Sequence, residues 1–327
     1  MAVIILSMIS IFYNYTGVHI ENKTGATDYI WEPEQLRTNM TEGFAWLRMD
    51  EFGFNNTPEN AKKAVDQGVD ILLMGSSHME AMQVSKNENL GALLNNELET
   101  LNTYNIGMSG HDIYRVMDNV DQAVSTYQPK EYLLIETDEV ELDIDAMRAV
   151  INETAEKIPS YDSGVVYQLQ KIPAIKWIYK SVDEWIHQSK SFKEKDSGRS
   201  VVDQEVIERN YYEKTLEQFL EKCVQACEQT DCTPIIFYHQ YAEIQPDGEI
   251  YFDINKEYLD LFSSVCQKKG IVFINMIPEF LLDYEETNCL PHGFSNTYVT
   301  EGHINAHGHK VIANKLIKVI SEEREEN

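Results

Sequence analysis

The strongest constraint on the fold comes from five short runs of apolar and β-branched residues spaced along most of the chain. Several of them are apolar without interruption, as expected for strands buried on both faces of a parallel sheet. Amphipathic helical stretches lie between them, which favours right-handed strand–helix–strand crossovers. The sequence therefore predicts a three-layer α/β/α sandwich around a parallel, five-stranded sheet. The predicted strands are Val69–Met74, Thr103–Ile106, Tyr132–Thr137, Pro234–His239 and Ile271–Met276.

Two regions interrupt this alternation and suggest how the chain is divided. Residues 14–65 are polar and form an N-terminal extension, so the α/β domain is predicted to cover residues 66–327. Residues 140–205 separate the third and fourth strands as a helical insertion with an aromatic stripe. Such a stripe is typical of packing within a subdomain, and the alternative is an amphipathic cap beside the active site or a membrane partner.

The chain starts with an uncharged apolar segment, residues 1–13. A bilayer span needs about 20 apolar residues, so this segment is too short to cross a membrane. It also lacks the basic region and cleavage site of a signal peptide. We interpret it as part of a signal anchor that holds an extracytoplasmic domain at the cell membrane; a buried strand or helix is the alternative.

The net charge and the cysteine spacing argue against two classes of binding site, one for nucleic acid and one for structural zinc. The formal net charge is −27 and no stripe of basic residues is present, which argues against nucleic-acid binding. The five cysteines are an odd number, and their spacing does not match a zinc finger. We expect core packing for Cys223 and Cys227, and one disulfide involving Cys227 or Cys232 would suit an extracytoplasmic location.

The candidate catalytic residues lie at the two ends of the α/β domain. Gly75-Ser76-Ser77-His78 directly follows the first strand, where the turn into the next helix commonly binds ligands. A serine there gains anion-stabilising backbone N–H groups, or it simply caps the helix. His303 precedes the last amphipathic helix.

These segments resemble the SGNH (GDSL-like) hydrolase superfamily over residues 69–138 and 233–320. The matching blocks are Gly75-Ser76-Ser77, Asn105-Ile-Gly107-Met-Ser109-Gly110 and the set His303, Asn305, Gly308 and His309. The resemblance implies a flavodoxin-like sheet, with Ser77 as nucleophile and Ser76 as its rival. It also implies His303 as general base and the backbone N–H groups of Ser77 and Gly107 as oxyanion donors.

Two departures from the family pattern concern the site directly. The family motif Gly-x-Asn-Asp is replaced by Glu136-Thr137-Asp138-Glu139, and the carboxylate of Asp138 would repel an oxyanion. Asp138 therefore remains a candidate site residue without the family's role. Thr300 stands where the family has its aspartate. Glu301 is then the candidate to orient His303, unless the site works as a Ser–His dyad.

Other polar residues near these blocks are candidate substrate contacts. His78 is expected to bind substrate or cap the helix, and Asn305 belongs to the last block. His239 ends the fourth strand and either contacts substrate or is a buried, hydrogen-bonded histidine. His307 and His309 lie two residues apart at a helix start and would point apart, so neither a metal nor a cofactor is expected.

The resemblance implies a serine-dependent acyl-ester hydrolase or O-acyltransferase. Its substrate would be an acylated carbohydrate, a cell-envelope polymer or a small acyl ester. The chain is similar to tethered bacterial cell-envelope proteins of the D-alanyl-lipoteichoic acid and alginate acetylation families, which often work beside a membrane-bound acyltransferase. The alternative is a catalytically degenerate carbohydrate-binding or scaffold module, because two family side chains are replaced.

Overall fold

The computed structural model describes residues 2–13, 18–40, 42–138, 202–297, 299–300 and 302–326. The strands are β1 His19–Glu21, β2 Tyr29–Trp31, β3 Leu36–Asn39, β4 Ala45–Arg48, β5 Ile71–Met74, β6 Thr103–Asn105, β7 Tyr132–Asp138, β8 Thr233–His239, β9 Glu243–Ile244, β10 Ile250–Tyr251 and β11 Val272–Asn275. The helices are α1 Ala2–Tyr13, α2 Pro58–Gln67, α3 Ser77–Glu80, α4 Leu90–Glu97, α5 Ile113–Tyr127, α6 Val202–Glu228, α7 Lys256–Lys268, α8 Ile277–Thr287 and α9 Ala306–Glu326, with a 3₁₀ turn at Lys86–Glu88.

The predicted α/β/α architecture is confirmed by a central five-stranded sheet in the order β11-β8-β7-β5-β6. All four strand pairings in this sheet are parallel. The five strands coincide with the five predicted runs to within two residues at either end. Apolar clusters cover both faces of the sheet, because the strand side chains alternate between two helical layers. The topology places the carboxyl ends of β5, β7 and β8 side by side, where a site can form.

The N-terminal extension packs against the edge strand β6 through hydrogen bonds that mimic a further strand. The Asn56 side chain accepts from Asn105 N–H at 2.9 Å and donates to Asn105 O at 2.9 Å. The Asp50 carboxylate accepts from Asn56 Nδ2 at 3.0 Å and from the Tyr104 hydroxyl at 2.9 Å. An exposed sheet edge is thereby covered, and the extension is held beside the main domain. Within it, β3 and β4 form an antiparallel hairpin whose connecting turn contains Glu42.

Three expectations about other parts of the chain have different outcomes. The core-packing role of Cys223 and Cys227 is confirmed, since both are buried, and Cys227 and Cys232 are free thiols here. The predicted insertion of residues 140–205 lies almost entirely outside the described residues. In the part of the chain that the structure describes, no helix combines the length and apolar character needed to cross a membrane.

Candidate active site

The two serines after β5 have different surroundings. The Ser77 hydroxyl lies 2.9 Å from His303 Nε2. The Ser76 hydroxyl instead accepts from His78 N–H at 3.2 Å and lies 3.2 Å from Glu136 Oε1, so it caps helix α3. The strand-to-helix turn therefore directs Ser77 towards a base and uses Ser76 to hold the turn.

His303 is oriented by a carboxylate from the N-terminal extension. His303 Nδ1 lies 2.7 Å from Glu42 Oε2, and the His303 backbone N–H donates to Glu42 Oε1 at 2.7 Å. Because an ionised carboxylate only accepts hydrogen bonds, His303 carries its proton on Nδ1. Its Nε2 lone pair then faces Ser77, which is the arrangement a general base requires.

This geometry differs from the prediction that Glu301 orients His303 unless the site works as a Ser–His dyad. Glu301, the carboxylate favoured by the sequence, lies outside the described residues. The atom it was expected to orient, His303 Nδ1, is already paired with Glu42. Sequence reasoning missed Glu42 because it precedes the first sheet strand and belongs to no motif. The glycine before His303 is a local sign of this contact. Gly302 has a φ of +100°, and a Cβ atom at this position would lie 2.3 Å from Glu42 Oε1.

The Glu42 carboxylate is stabilised in its charged form. Burial alone would raise its pKa, but hydrogen bonds from the side chain and the backbone of His303 lower the pKa below its ordinary value of 4.5. The side chain keeps 21% of its surface exposed. Glu42 is thus ionised at neutral pH and able to stabilise a positively charged imidazole.

Gly107 has a structural role in place of the predicted oxyanion role. Its N–H donates to Asn105 Oδ1 at 2.8 Å, so this donor is not free for an oxyanion. A Cβ atom on Gly107 would lie 2.6 Å from the Met79 side chain and 2.8 Å from Glu80 N. The glycine is therefore required because the chain passes very close to helix α3.

The Asn305 side chain forms hydrogen bonds with backbone groups, whereas a contact with substrate was predicted. Its Nδ2 donates to the carbonyls of Leu290 at 2.8 Å and Gly293 at 3.1 Å. Its Oδ1 accepts from Gly308 N–H at 3.0 Å. The amide oxygen therefore caps α9, and the NH₂ group fixes the segment before it.

A buried chain of polar side chains lies beneath the turn that carries Ser76 and Ser77. Glu136 accepts from Ser76 N–H at 2.7 Å and pairs with His239 Nε2 at 2.8 Å. His239 Nδ1 lies 3.0 Å from His292 Nε2. All three side chains of this chain are 1% exposed. The structure places His239 in a buried hydrogen-bonded network, which was one of its two predicted roles. His239 also lines a cavity together with His78 and His303.

A cavity of about 210 Å³ is lined by His303, whose Nε2 lies beside Ser77, and by His78. His78 Nδ1 accepts from Ile304 N–H at 3.2 Å, so the neutral ring carries its proton on Nε2. That Nε2 faces Asp138 Oδ2 at 3.5 Å. Burial, with the neighbouring histidines, lowers the pKa of His78 well below its ordinary value, which keeps the ring neutral. The cavity is lined by His78, Asp138, His239, Gln240, Tyr241, His292, Gly302 and His303.

Three of these histidines are close enough to raise the question of a metal. Nitrogens of His78, His239 and His292 lie within 4.8 Å of one another, a spacing that a metal ion could bridge. A hydrogen bond joins His239 Nδ1 to His292 Nε2, and Ile304 N–H donates to His78 Nδ1. Of the two histidines at the start of α9, His307 pairs with Asp283 at 2.5 Å. The described contacts therefore fit a hydrogen-bonded network better than a ligand set.

Comparisons with known proteins return matches among solved structures. No protein-family profile matches the chain, and no curated protein matches it in sequence. LAE5, an alpha/beta hydrolase enzyme from the metagenome of Lake Arreo, is 16% identical over 78% of this chain and 95% of its own, with a TM-score of 0.43. The acetyl xylan esterase AlAXEase is 12% identical over 76% and 98%, with a TM-score of 0.44. The psychrotrophic esterase EstA from Pseudoalteromonas sp. is 14% identical over 78% and 98%, with a TM-score of 0.41.

We predict that Glu42→Gln lowers kcat on a reporter ester by about 10⁴-fold, as removal of the acid does in well-studied triads. The amide cannot hold the tautomer of His303 and cannot compensate an imidazolium charge. Steady-state kinetics on a reporter ester measure the effect, with the exposed Glu59→Gln as matched control. Loss of activity in Glu301→Gln together with retention in Glu42→Gln would show that the acid is misassigned.

We also predict a pH-dependent contribution of Glu42 to stability. A carboxylate whose folded pKa is lowered stabilises the fold above its unfolded pKa and loses that contribution as the pH falls through the folded value. The difference in unfolding free energy between the parent and Glu42→Gln should thus be constant well above pH 4.5 and shrink below it. Urea titrations over a series of pH values measure this difference. A difference that persists unchanged in acid would contradict the hydrogen bonds from His303 to an ionised Glu42.

Proposed function

We propose that the protein is a serine-dependent acyl-ester hydrolase whose triad is Ser77, His303 and Glu42. The observation that carries this proposal is the continuous relay from Ser77 Oγ through His303 to the Glu42 carboxylate, with contacts of 2.9 and 2.7 Å. A nucleophile, a base and an orienting acid in hydrogen-bond reach of one another are the features that define this chemistry.

The reaction follows from the positions of these protons. Ser77 Oγ attacks the acyl carbonyl while His303 Nε2 takes the hydroxyl proton, and Glu42 stabilises the resulting imidazolium. The tetrahedral intermediate collapses when His303 returns that proton to the leaving alcohol, which leaves an acyl group on Ser77. A water molecule, activated by the same Nε2, then attacks the acyl-enzyme and releases the carboxylic acid and free Ser77.

We propose that the oxyanion is stabilised by Ser77 N–H and His78 Nε2–H. Gly107 N–H is engaged with Asn105, and the carboxylate of Asp138 is unsuited to a negative charge. His78 lines the cavity, and its ring centroid lies 5.0 Å from that of His303. Its Nε2 lies 3.5 Å from Asp138 Oδ2, which is too long for a strong hydrogen bond, so we propose that this N–H turns to the oxyanion. A neutral imidazole with a fixed tautomer is an effective donor to a developing oxyanion.

An acylated carbohydrate or cell-envelope polymer is the substrate class we propose. Tyr241 lines the cavity and is 38% exposed, and Phe44, two residues after Glu42, is 67% exposed. Exposed aromatic rings near a small acyl site suit a sugar bearing a short acyl group. Transfer to a sugar hydroxyl in place of water would make the protein an O-acyltransferase, and the ratio of acylated acceptor to free acid measures this directly.

Tethering at the cell membrane, with the catalytic domain outside the cytoplasm, is part of the same proposal. The twelve-residue helix α1 carries no charge, and Ile4 and Met8 are more than half exposed. Exposed apolar surface of this kind suits contact with lipid or with a membrane-bound acyltransferase that supplies acyl groups. Recovery of the product of the complete gene only in the soluble cytosolic fraction would refute the tether.

The decisive test of the proposed function compares the two serines. Ser77→Ala should lose about 10⁴- to 10⁶-fold in kcat on p-nitrophenyl acetate and lose labelling by a fluorophosphonate, because the nucleophile is absent. Ser76→Ala should retain the label, because Ser76 only caps the helix. If the parent neither turns over esters nor reacts with the probe, the degenerate scaffold or carbohydrate-binding module is the better description.

We further predict that His78→Ala lowers kcat by about 10²- to 10³-fold, the usual cost of losing one oxyanion donor. His78→Gln keeps an N–H group and should lose less. Steady-state kinetics separate the two roles open to this residue. A raised KM with unchanged kcat would assign His78 to substrate binding and refute its role in stabilising the oxyanion.

A further inference from the structure

The catalytic acid lies on a structural element that needs external support. Glu42 occupies the turn between strands β3 and β4, and turns at the surface are ordinarily the more mobile parts of a protein. A triad carboxylate has to be held within about 0.5 Å of its working position. Something beyond the hairpin itself must therefore fix the turn.

One side chain, Asn296, holds this turn on both sides of Glu42. Asn296 Oδ1 accepts from Gly43 N–H at 2.9 Å. Asn296 Nδ2 donates to Met40 O at 3.0 Å and to Gly43 O at 3.1 Å. The amide thus contributes its oxygen and its NH₂ group to the backbone flanking the catalytic acid.

The position of Asn296 in the chain connects the acid to the base. It lies in the segment between α8 and α9, which also contains His303. Within this segment, Gly293 N–H donates to His303 O at 3.0 Å. Asn296 therefore joins the segment that carries the base to the hairpin that carries the acid, although the residue is exposed and lies outside the cavity lining.

We propose that Asn296 is a positioning residue that acts through Glu42 and is required for full turnover. The inference rests on the proposed function, because it assigns Glu42 to the triad. A loosened turn lets the carboxylate leave His303 Nδ1, and a displacement of about 1 Å in such a constellation costs about 10²-fold in rate. Asn296 itself contacts neither the reacting atoms nor the substrate cavity.

The test uses Asn296→Ala and Asn296→Asp on the full chain with p-nitrophenyl acetate as substrate. Aspartate keeps an oxygen acceptor for Gly43 N–H but loses both N–H donors and adds a charge near Glu42. Both variants should lower kcat by about 10- to 100-fold with KM within about twofold. Ser295→Ala, a neighbouring exposed residue, is the matched control and should behave as the parent.

Two further readouts separate positioning from a general loss of structure. In the Glu42→Gln background, Asn296→Ala should cause no additional loss of kcat, because both changes disable the same interaction. Hydrogen exchange should accelerate at Gly43 N–H in Asn296→Ala and stay unchanged in Ser295→Ala. The proposal is supported when all three results are found together.

The outcomes that overturn the proposal differ from failure of the proposed function. If Ser77 is labelled and Glu42→Gln is impaired while Asn296→Ala retains parental kcat, the positioning role is wrong and the triad stands. Additive losses in the double variant also refute it. If the parent shows neither turnover nor labelling, the proposed function fails, and the positioning role fails with it.

Discussion

The contact between Glu42 and His303 is the interaction on which the site depends. It joins residues 261 positions apart, and it uses both carboxylate oxygens against the side chain and the backbone of one histidine. Without it the imidazole has neither a fixed tautomer nor a partner for its positive charge. The N-terminal extension thereby contributes a carboxylate to the candidate site, and Asn56 holds the extension against edge strand β6.

The turn that carries Ser76 and Ser77 is held by a second carboxylate, Glu136. Glu136 lies beneath the turn, where its carboxylate accepts a hydrogen bond from Ser76 N–H and pairs with His239 Nε2. His239 Nδ1 is hydrogen-bonded to His292 Nε2. A buried carboxylate is tolerated only where several donors surround it, and here they come from the turn and the neighbouring strand. Backbone pairing of His292 with Ile304 then connects this network to the segment that carries His303.

The sequence predicts the parts of this structure that local patterns encode. The buried parallel strands follow from continuous apolar runs, and the meeting of Ser77 with His303 follows from two short blocks at predicted element ends. Glu42 could not be found this way, because a side chain at a hairpin turn has no periodicity and its contact spans most of the chain. The hydrogen bonds of Gly107 and Asn305 could not be predicted for another reason. A motif match gives the position of a residue but not its hydrogen-bond partners. Here the Gly107 N–H donates to the Asn105 side chain, and the Asn305 side chain donates to backbone carbonyls.

The most direct test of the triad is the proton between His303 Nδ1 and Glu42. In protein labelled with ¹⁵N-histidine, a proton held between an imidazole and a carboxylate at 2.7 Å should give a far-downfield ¹H resonance coupled to Nδ1. We predict that the resonance is present in the parent and in Ser77→Ala, and absent in Glu42→Gln and His303→Gln. A resonance that persists in Glu42→Gln would show that another group orients His303 and would contradict the assignment of Glu42.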